Sequence, residues 1–228
     1  MATGTARRAP GRKAPPAKKG AAKKNPTTPK PRPEKVGAAK GPPAKGAKAP
    51  SGSRYVAFLR SINIGGRTLP MPVLAGLFEK AGCTAVKTYI QSGNVVFTKA
   101  GSIDGVAEAV ERAIVRAAGF ESPVVIRSEA ELRSLLEEAP FADPGGKKPA
   151  LHALFLKHEP APEAVQALDP GRSPGDRFEV RGSHVYLLCP NGLAETKLTN
   201  AYFDGKLRTT STGRNFRTIQ RMLEMCGE

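Results

Sequence analysis

The chain has 228 residues, with 36 Lys and Arg against 20 Asp and Glu, a net charge of +16, and three cysteines. No apolar run reaches the roughly 18 to 20 residues that a membrane-spanning helix needs, and no apolar signal segment opens the chain, so we expect a soluble cytoplasmic protein. The cysteines are far apart and lack C-x-x-C spacing, which argues against a disulfide framework or a zinc site. We predict no metal site, and the sequence assigns no cofactor.

Most of the net charge lies in the first 53 residues, which contain fourteen Lys and Arg, one acid and ten prolines. Their only larger apolar side chains are Met1 and Val36, so burial cannot offset the entropy lost on ordering. We therefore predict that residues 1–53 form a disordered basic tail. Such a tail attracts polyanions without sequence preference, so we expect DNA or RNA as its partner, with association with the nucleoid as one consequence. A purely solubilising role is the alternative.

Regular patterning begins at Arg54, where the apolar run Tyr55–Leu59 predicts a buried strand that ends in a glycine loop. A helix from Pro72 to Gly82 follows, and then strands 86–90 and 94–98, which the turn Gln91-Ser92-Gly93 joins. The next predicted elements are a helix from Ser102 to Gly119 and strand 124–126. A last helix begins at the capping box of Ser128 and Glu131.

The second half repeats this order without repeating the sequence. Its predicted elements are strand 151–157, helix 162–168, strands 177–181 and 184–189, a helix from about Leu193 to Tyr202, a short strand Leu207–Thr210, and a last helix with Thr212 as N-cap. We therefore predict an α+β fold of two ferredoxin-like (βαββαβ) halves, residues 54–140 and 149–228, each followed by a helix. Such a fold leaves the function open.

Polar segments that no core requires follow several predicted elements, and they form the candidate ligand site. Glycine lets a backbone approach an anion and present N–H groups, and cations or helix N-termini add positive potential. Ordinary turn and capping roles are the alternative for each segment. We expect five of these residues to converge on one surface, namely Arg60, Asn63, Lys197, Arg214 and Asn215. The candidates are Arg60, Asn63, Gly65, Gly66, Gln91, Ser92, Asn94, Lys197, Thr199, Arg214 and Asn215.

The usual catalytic constellations are missing. The three histidines lack the spacing of a metal site. No G-x-S-x-G elbow is predicted either, because the one segment with that spacing, Gly171–Gly175, follows a predicted helix and precedes a strand, the reverse of the order that an elbow needs. Cys83 and Cys189 fit small core residues better than nucleophiles. No catalytic residue is assigned. If there is catalysis, we expect its main ingredient to be the positioning of an anionic ligand by Arg60, Lys197 and Arg214.

These polar segments resemble motifs of a bacterial family, the domain of unknown function number 1697 (DUF1697). The matching segments are Leu59–Gly66, Thr88–Phe97, Pro190–Gly192, Thr196–Thr199 and Thr212–Thr218. The resemblance runs from about Arg54 to the C-terminus and leaves the basic tail outside. The departures are Ser61 for a glycine, Phe216 for a tryptophan, and Gly213 within the last motif. The resemblance implies an α+β fold in two subdomains and supplies no substrate, cofactor or catalytic residue.

The leading interpretation is a module that binds a small anionic or phosphate-bearing ligand in a groove between the halves. A nucleic-acid-binding, nucleoid-associated protein is the alternative, and an enzyme acting on a phosphorylated small molecule is the second. The first half is a poor match to RNA-recognition domains, because strand 94–98 carries only Phe97 as an aromatic residue for base stacking.

Overall fold

The computed structural model describes residues 52–142 and 150–228, and both stretches belong to one compact unit. The described residues form two four-stranded antiparallel sheets and six helices in a mixed α/β arrangement. The predicted basic tail lies outside the described residues, apart from its last two positions. No helix in the described part of the chain is long and apolar enough to cross a membrane.

The same order of elements occurs twice. The first half consists of β1 (Ser53–Leu59), α1 (Met71–Lys80), β2 (Thr84–Tyr89), β3 (Asn94–Lys99), α2 (Val106–Ala118), β4 (Val124–Ser128) and α3 (Glu129–Glu137). The second half consists of β5 (Leu151–Leu156), α4 (Pro162–Gln166), β6 (Arg177–Arg181), β7 (His184–Leu188), α5 (Asn200–Leu207), β8 (Ser211–Asn215) and α6 (Phe216–Gly227). The strand orders correspond, β2-β3-β1-β4 and β6-β7-β5-β8, and every neighbouring pair is antiparallel.

Each sheet packs its own helices on one face and turns the other face to a core that both halves share. In β1, Ala57 and Leu59 pack with α1 and α2, whereas Val56 and Phe58 enter the shared core. The Phe58 ring stacks on Phe155 of β5 with the centroids 4.2 Å apart. Helices α3 and α6 complete this core. The central strands β1 and β5 are therefore covered on both faces, which explains their nearly continuous apolar sequences.

Two boundaries in the second half, the start of α5 and the start of β8, differ from the sequence-based prediction. The Thr199 hydroxyl accepts a hydrogen bond from the backbone N–H of Tyr202 at 3.2 Å, so α5 begins at Asn200 rather than near Leu193. Helix α5 then continues to Leu207, which is buried. The strand predicted at Leu207–Thr210 is therefore wrong, and β8 begins four residues later.

Two predicted N-caps are also wrong. Thr212 lies within β8, and Asn215 caps α6 by accepting the Thr218 N–H at 2.8 Å. At α2 the N-cap is Gly105, because Ser102 instead accepts the N–H of Asp104 in a local turn. The capping box at the start of α3 is confirmed.

Candidate functional site

Arg214, on β8 of the second half, binds the ends of two strands of the first half. Its Nη2 donates to three backbone carbonyls, those of Leu59 at 2.8 Å, Ser92 at 2.9 Å and Gly93 at 3.1 Å. Its Nε donates to Oδ1 of Asn94 at 2.5 Å. We call Arg214 with these partners the Arg214 joint, because it ties the end of β1 and the β2–β3 turn to the other half.

The guanidinium of Arg214 has no donor left for a ligand. Its Nη1 donates to the Thr212 hydroxyl at 3.0 Å and to the Gly213 carbonyl at 2.7 Å, so its N–H groups all point at protein acceptors. Burial lowers the pKa of Arg214 to about 10, which still leaves the group charged at neutral pH. Every acceptor is neutral, and no described carboxylate lies within ion-pair distance. The joint therefore holds an uncompensated positive charge.

The β2–β3 turn fits against β1 because position 93 is glycine. Gly93 has φ of +72°, and a Cβ there would lie 2.5 Å from Cγ2 of Ile62 and 2.7 Å from Cβ of Leu59. The buried Asn94 closes the turn, since its Nδ2 donates to the Ser92 hydroxyl at 2.9 Å. The amide of Asn94 thus organises the turn and receives Arg214 at the same time.

Arg60 follows β1 and pairs with an acid of the other half. Its Nη1 forms an ion pair with Asp204 of α5 and donates to the carbonyl of Ser211 at 3.2 Å. Oδ1 of Asp204 also accepts the backbone N–H of Ser211 at 2.9 Å. The charge of Arg60 is therefore largely offset by Asp204.

Residues 61–66, which we call the amide loop, follow Arg60. Four of its residues have positive φ, Ser61 at 55°, Asn63 at 55°, Gly65 at 57° and Gly66 at 83°, whereas its two isoleucines do not. The left-handed conformation is one of the two that combine in a nest, the concave arrangement of backbone N–H groups that binds anions. Among the described residues, no acceptor binds the backbone N–H of any residue in this loop. A Cβ at either glycine would meet nothing within 4 Å, so the loop is open to solvent.

Asn63 fixes the amide loop beside the β2–β3 turn. Its Oδ1 accepts the N–H of Leu69 at 2.8 Å, and its Nδ2 donates to the carbonyl of Gln91 at 3.0 Å. The loop therefore stands next to the Arg214 joint, which shares the turn and the end of β1.

No side-chain hydrogen bond or ion pair among the described residues joins Lys197, Thr199 or Asn215 to the amide loop or to the Arg214 joint. The side chain of Lys197 is exposed, and in the described part of the chain it forms no hydrogen bond or ion pair. Thr199 and Asn215 cap α5 and α6. The residues that contacts bring together at the end of β1 are Arg60, Asn63, Gln91, Ser92, Asn94 and Arg214, with Gly65 and Gly66 in the same loop.

A second arginine occupies the equivalent position in the first half. Arg127, on β4, donates through Nη2 to the carbonyls of Leu156 at 2.6 Å and Ser183 at 3.1 Å, and through Nε to Nε2 of His184 at 2.9 Å. Leu156 ends β5, and Ser183 and His184 stand at the β6–β7 turn, so these partners correspond to those of Arg214. We call this set the Arg127 joint. Arg127 is not among the site residues predicted from the sequence, although an arginine within an apolar strand is a signal that the sequence contains.

The ion pair of Arg60 also has its counterpart. Lys157 follows β5, and its Nζ lies 3.0 Å from both carboxylate oxygens of Glu111 on α2. Oε1 of Glu111 accepts the N–H of Val124 at the start of β4, as Asp204 does at the start of β8. The two halves therefore dock through reciprocal contacts related by a pseudo-two-fold axis.

The two joints differ in the features that attract an anion. Glu131 lies 3.9 Å from Nε of Arg127, whereas no described acid approaches Arg214. His158, in the segment that corresponds to the amide loop, gives its N–H to the Thr209 hydroxyl at 3.2 Å. A cavity of about 340 Å³ lies beside the Arg127 joint, but its cations Arg127 and Lys157 are near acids. Positive potential and free N–H groups thus coincide at the Arg214 joint.

Other chemistry finds little support in the described residues. They include no group of three or more His, Cys, Asp or Glu side chains placed to hold a metal ion. The three cysteines are buried, and burial raises the pKa of Cys189 and of Cys226 to about 11. Their thiols are therefore protonated at neutral pH and serve the core, as expected for Cys83 and Cys189.

A model of one protein family, described as a protein of unknown function (DUF1697), matches residues 53–186. The chain belongs to this family. The fold is similar to that of the conserved bacterial protein SP0830 from Streptococcus pneumoniae, with 20% sequence identity, a TM-score of 0.58, and coverage of 78% of this chain and all of the other. At that identity the likeness concerns the fold alone. A comparison with curated proteins gave no match.

Proposed function

We propose that the folded part of the chain is a binding module for a small anionic ligand, with phosphate as the reference case. The observation that carries the proposal is the row of unpaired N–H groups in the amide loop, next to the uncompensated charge of Arg214. The ligand would accept hydrogen bonds from the loop and lie in the field of the guanidinium.

The roles of the cations in this proposal follow from their partners. Arg214 acts by its charge, because its donors are occupied. Arg60 acts weakly, since Asp204 offsets it. Lys197 is exposed and unpaired among the described residues, so its contribution would be long-range attraction, which salt screens.

The comparison between the joints supports this choice of site. Both joints hold the halves together, so docking alone does not require the amide loop. The Arg127 joint performs the same docking with a nearby acid and with the N–H of His158 already bonded. The Arg214 joint differs in having no nearby acid and in lying beside the unpaired N–H groups of the amide loop, and both features favour an anion.

Nucleic-acid binding by the sheets is the weaker candidate. RNA-recognition domains stack bases on an open sheet face, whereas β1 and β5 are buried on both faces here. Polyanion binding is instead proposed for the basic tail. An enzyme acting on a phosphorylated small molecule would need the same anion site, but no residue is proposed as catalytic.

Titration of the full ¹⁵N-labelled chain with inorganic phosphate at low ionic strength tests the anion site. We expect the amide resonances of residues 61–66 to shift in a saturable way. Gly65→Asp should weaken binding about three- to tenfold, because it puts a carboxylate beside the anion. Gly65→Asn is the matched control, since it has the same shape, tolerates φ above zero and is neutral. Shifts confined to residues 1–53, or equal affinities of the Asp and Asn variants, would contradict the proposal.

We also propose that each half is a ferredoxin-like unit. The strand order β4-β1-β3-β2, with all pairs antiparallel and α1 and α2 packed on the same sheet face, supports this assignment for the first half. The corresponding order in the second half supports it there. The linker between the halves, which includes residues 143–149, lies partly outside the described residues.

A further inference from the structure

Two exposed isoleucines lie at the amide loop, one within it and one in the neighbouring β2–β3 turn. Ile64, within the loop, is 61% exposed, and Ile90, in the β2–β3 turn, is 54% exposed. The hydrogen bond from Asn63 to the Gln91 carbonyl joins the residues next to them, so Ile64 and Ile90 lie on adjacent segments of the surface. They are the two most exposed large apolar side chains in the described part of the chain.

Ile90 adopts a backbone conformation that its side chain disfavours. Its φ is 47°, in the left-handed region, where a β-branched residue is a rare outlier. Strained residues of this kind cluster at binding sites. An asparagine or glycine would fit this φ with less strain, and an exposed position offers the isoleucine no core packing in return.

We propose that the anionic ligand is a phosphate monoester joined to an apolar group, which rests on the anion site proposed above. The phosphate accepts hydrogen bonds from the amide loop, and the apolar group covers Ile64 and Ile90. Burying an apolar contact of this size should tighten binding about five- to tenfold relative to inorganic phosphate.

Phenyl phosphate and inorganic phosphate are the probes, titrated against the full chain and followed at the amide resonances of residues 61–66. We expect wild type to bind phenyl phosphate about five- to tenfold more tightly. Ile90→Asn and Ile64→Ser should each remove most of this preference, which is read as the ratio of the two affinities measured on the same variant. Val115→Thr, which alters another exposed apolar side chain on α2, is the control and should keep the preference.

The two proposals fail in different ways. If inorganic phosphate does not shift the amide loop, the anion site itself is wrong. If phosphate binds but phenyl phosphate binds no better, or if the preference survives both isoleucine substitutions, the anion site stands and the apolar group is excluded.

A lipid with a phosphate monoester headgroup presents the same chemistry as a soluble ligand. Sedimentation with phosphatidylcholine vesicles that contain phosphatidate distinguishes the two sources. Because the positive charge of residues 1–53 is the same in every variant, any attraction of that segment to the anionic vesicles cancels in the difference between wild type and Ile90→Asn. Weaker sedimentation of Ile90→Asn would indicate a lipid source, and equal sedimentation together with the phenyl phosphate preference would indicate a soluble one.

Discussion

Gly93 and Ile90 both have positive φ in the β2–β3 turn, but for different physical reasons. Gly93 needs its φ of +72° and also has no room for a side chain, since Ile62 and Leu59 occupy the place of a Cβ. The side chain of Ile90 is exposed, and its disfavoured feature is the positive φ of its backbone. Substitutions at the two positions should therefore change stability in opposite directions.

Gly93→Ala should destabilise the protein by about 3 kcal/mol or more, because it combines a disfavoured φ with overpacking against β1. Gly101→Ala is the matched control, since Gly101 has φ of +73° and nothing lies within 4 Å of its Cβ position. There we expect about 1 kcal/mol. Urea denaturation measures both values, and equal losses would show that the close approach to Ile62 and Leu59 does not matter.

Ile90→Asn should stabilise the protein by about 0.5 to 1 kcal/mol, because asparagine tolerates the left-handed region and no buried contact is lost. Ile64→Asn, at an exposed position without positive φ, should stay within about 0.5 kcal/mol of wild type. The midpoint of urea unfolding measures both. A loss of stability in Ile90→Asn would mean that the isoleucine makes a stabilising contact in the free protein.

At the scale of elements, periodicity predicted most strands and helices, because each is encoded by its own spacing of apolar residues. The contacts of Arg127 with Leu156 and His184 could not be predicted in this way, since they join residues from different halves. The sequence singled out Arg214 and Asn94 as polar residues near element ends. It could not show that they bind each other, which occupies the donors of Arg214.

Arg214→Lys should destabilise the protein by about 3 kcal/mol or more, because an ammonium cannot satisfy acceptors arranged around a planar guanidinium and several would be left unpaired. The control is Arg221→Lys on α6. Arg221 forms exposed ion pairs with Glu224 and Glu228, so we expect no measurable change in stability. Chemical denaturation compares them, and a small effect at Arg214 would show that the joint contributes little to docking.

At the scale of the whole molecule, two similar joints hold the halves together, and they differ in the groups that can titrate. The Arg127 joint includes His184, whose Nε2 accepts from Arg127 and must therefore be unprotonated. Burial, with Arg127 as a second cause, lowers the pKa of His184 to about 4. The integrity of this joint is thus linked to pH, whereas the Arg214 joint includes no histidine among its contacts.

The pH dependence of stability should report on His184. Its pKa is about 4 in the folded protein and about 6.5 when unfolded. The unfolded chain therefore binds more protons in this window, and stability falls as the pH drops from about 6.5 towards 4, by about 1 to 3 kcal/mol. His184→Gln keeps an acceptor without titrating. The difference between wild type and this variant, measured by urea unfolding across the window, should follow that fall, and parallel pH profiles would contradict it.

Removing residues 1–53 should nearly abolish binding to nucleic acid, because this segment carries +13 of the net charge of +16. We expect the truncated chain to bind a random-sequence DNA duplex much more weakly than wild type at low salt. Its affinity should also change little as the salt concentration rises. A full-length chain with glutamine in place of the tail's Lys and Arg is the matched control for length and proline content, and it should behave like the truncated one. Fluorescence anisotropy with labelled DNA measures all three. If the truncated chain bound DNA as well as wild type, its remaining charge of only +3 could not account for the binding. The folded part would then be the nucleic-acid module.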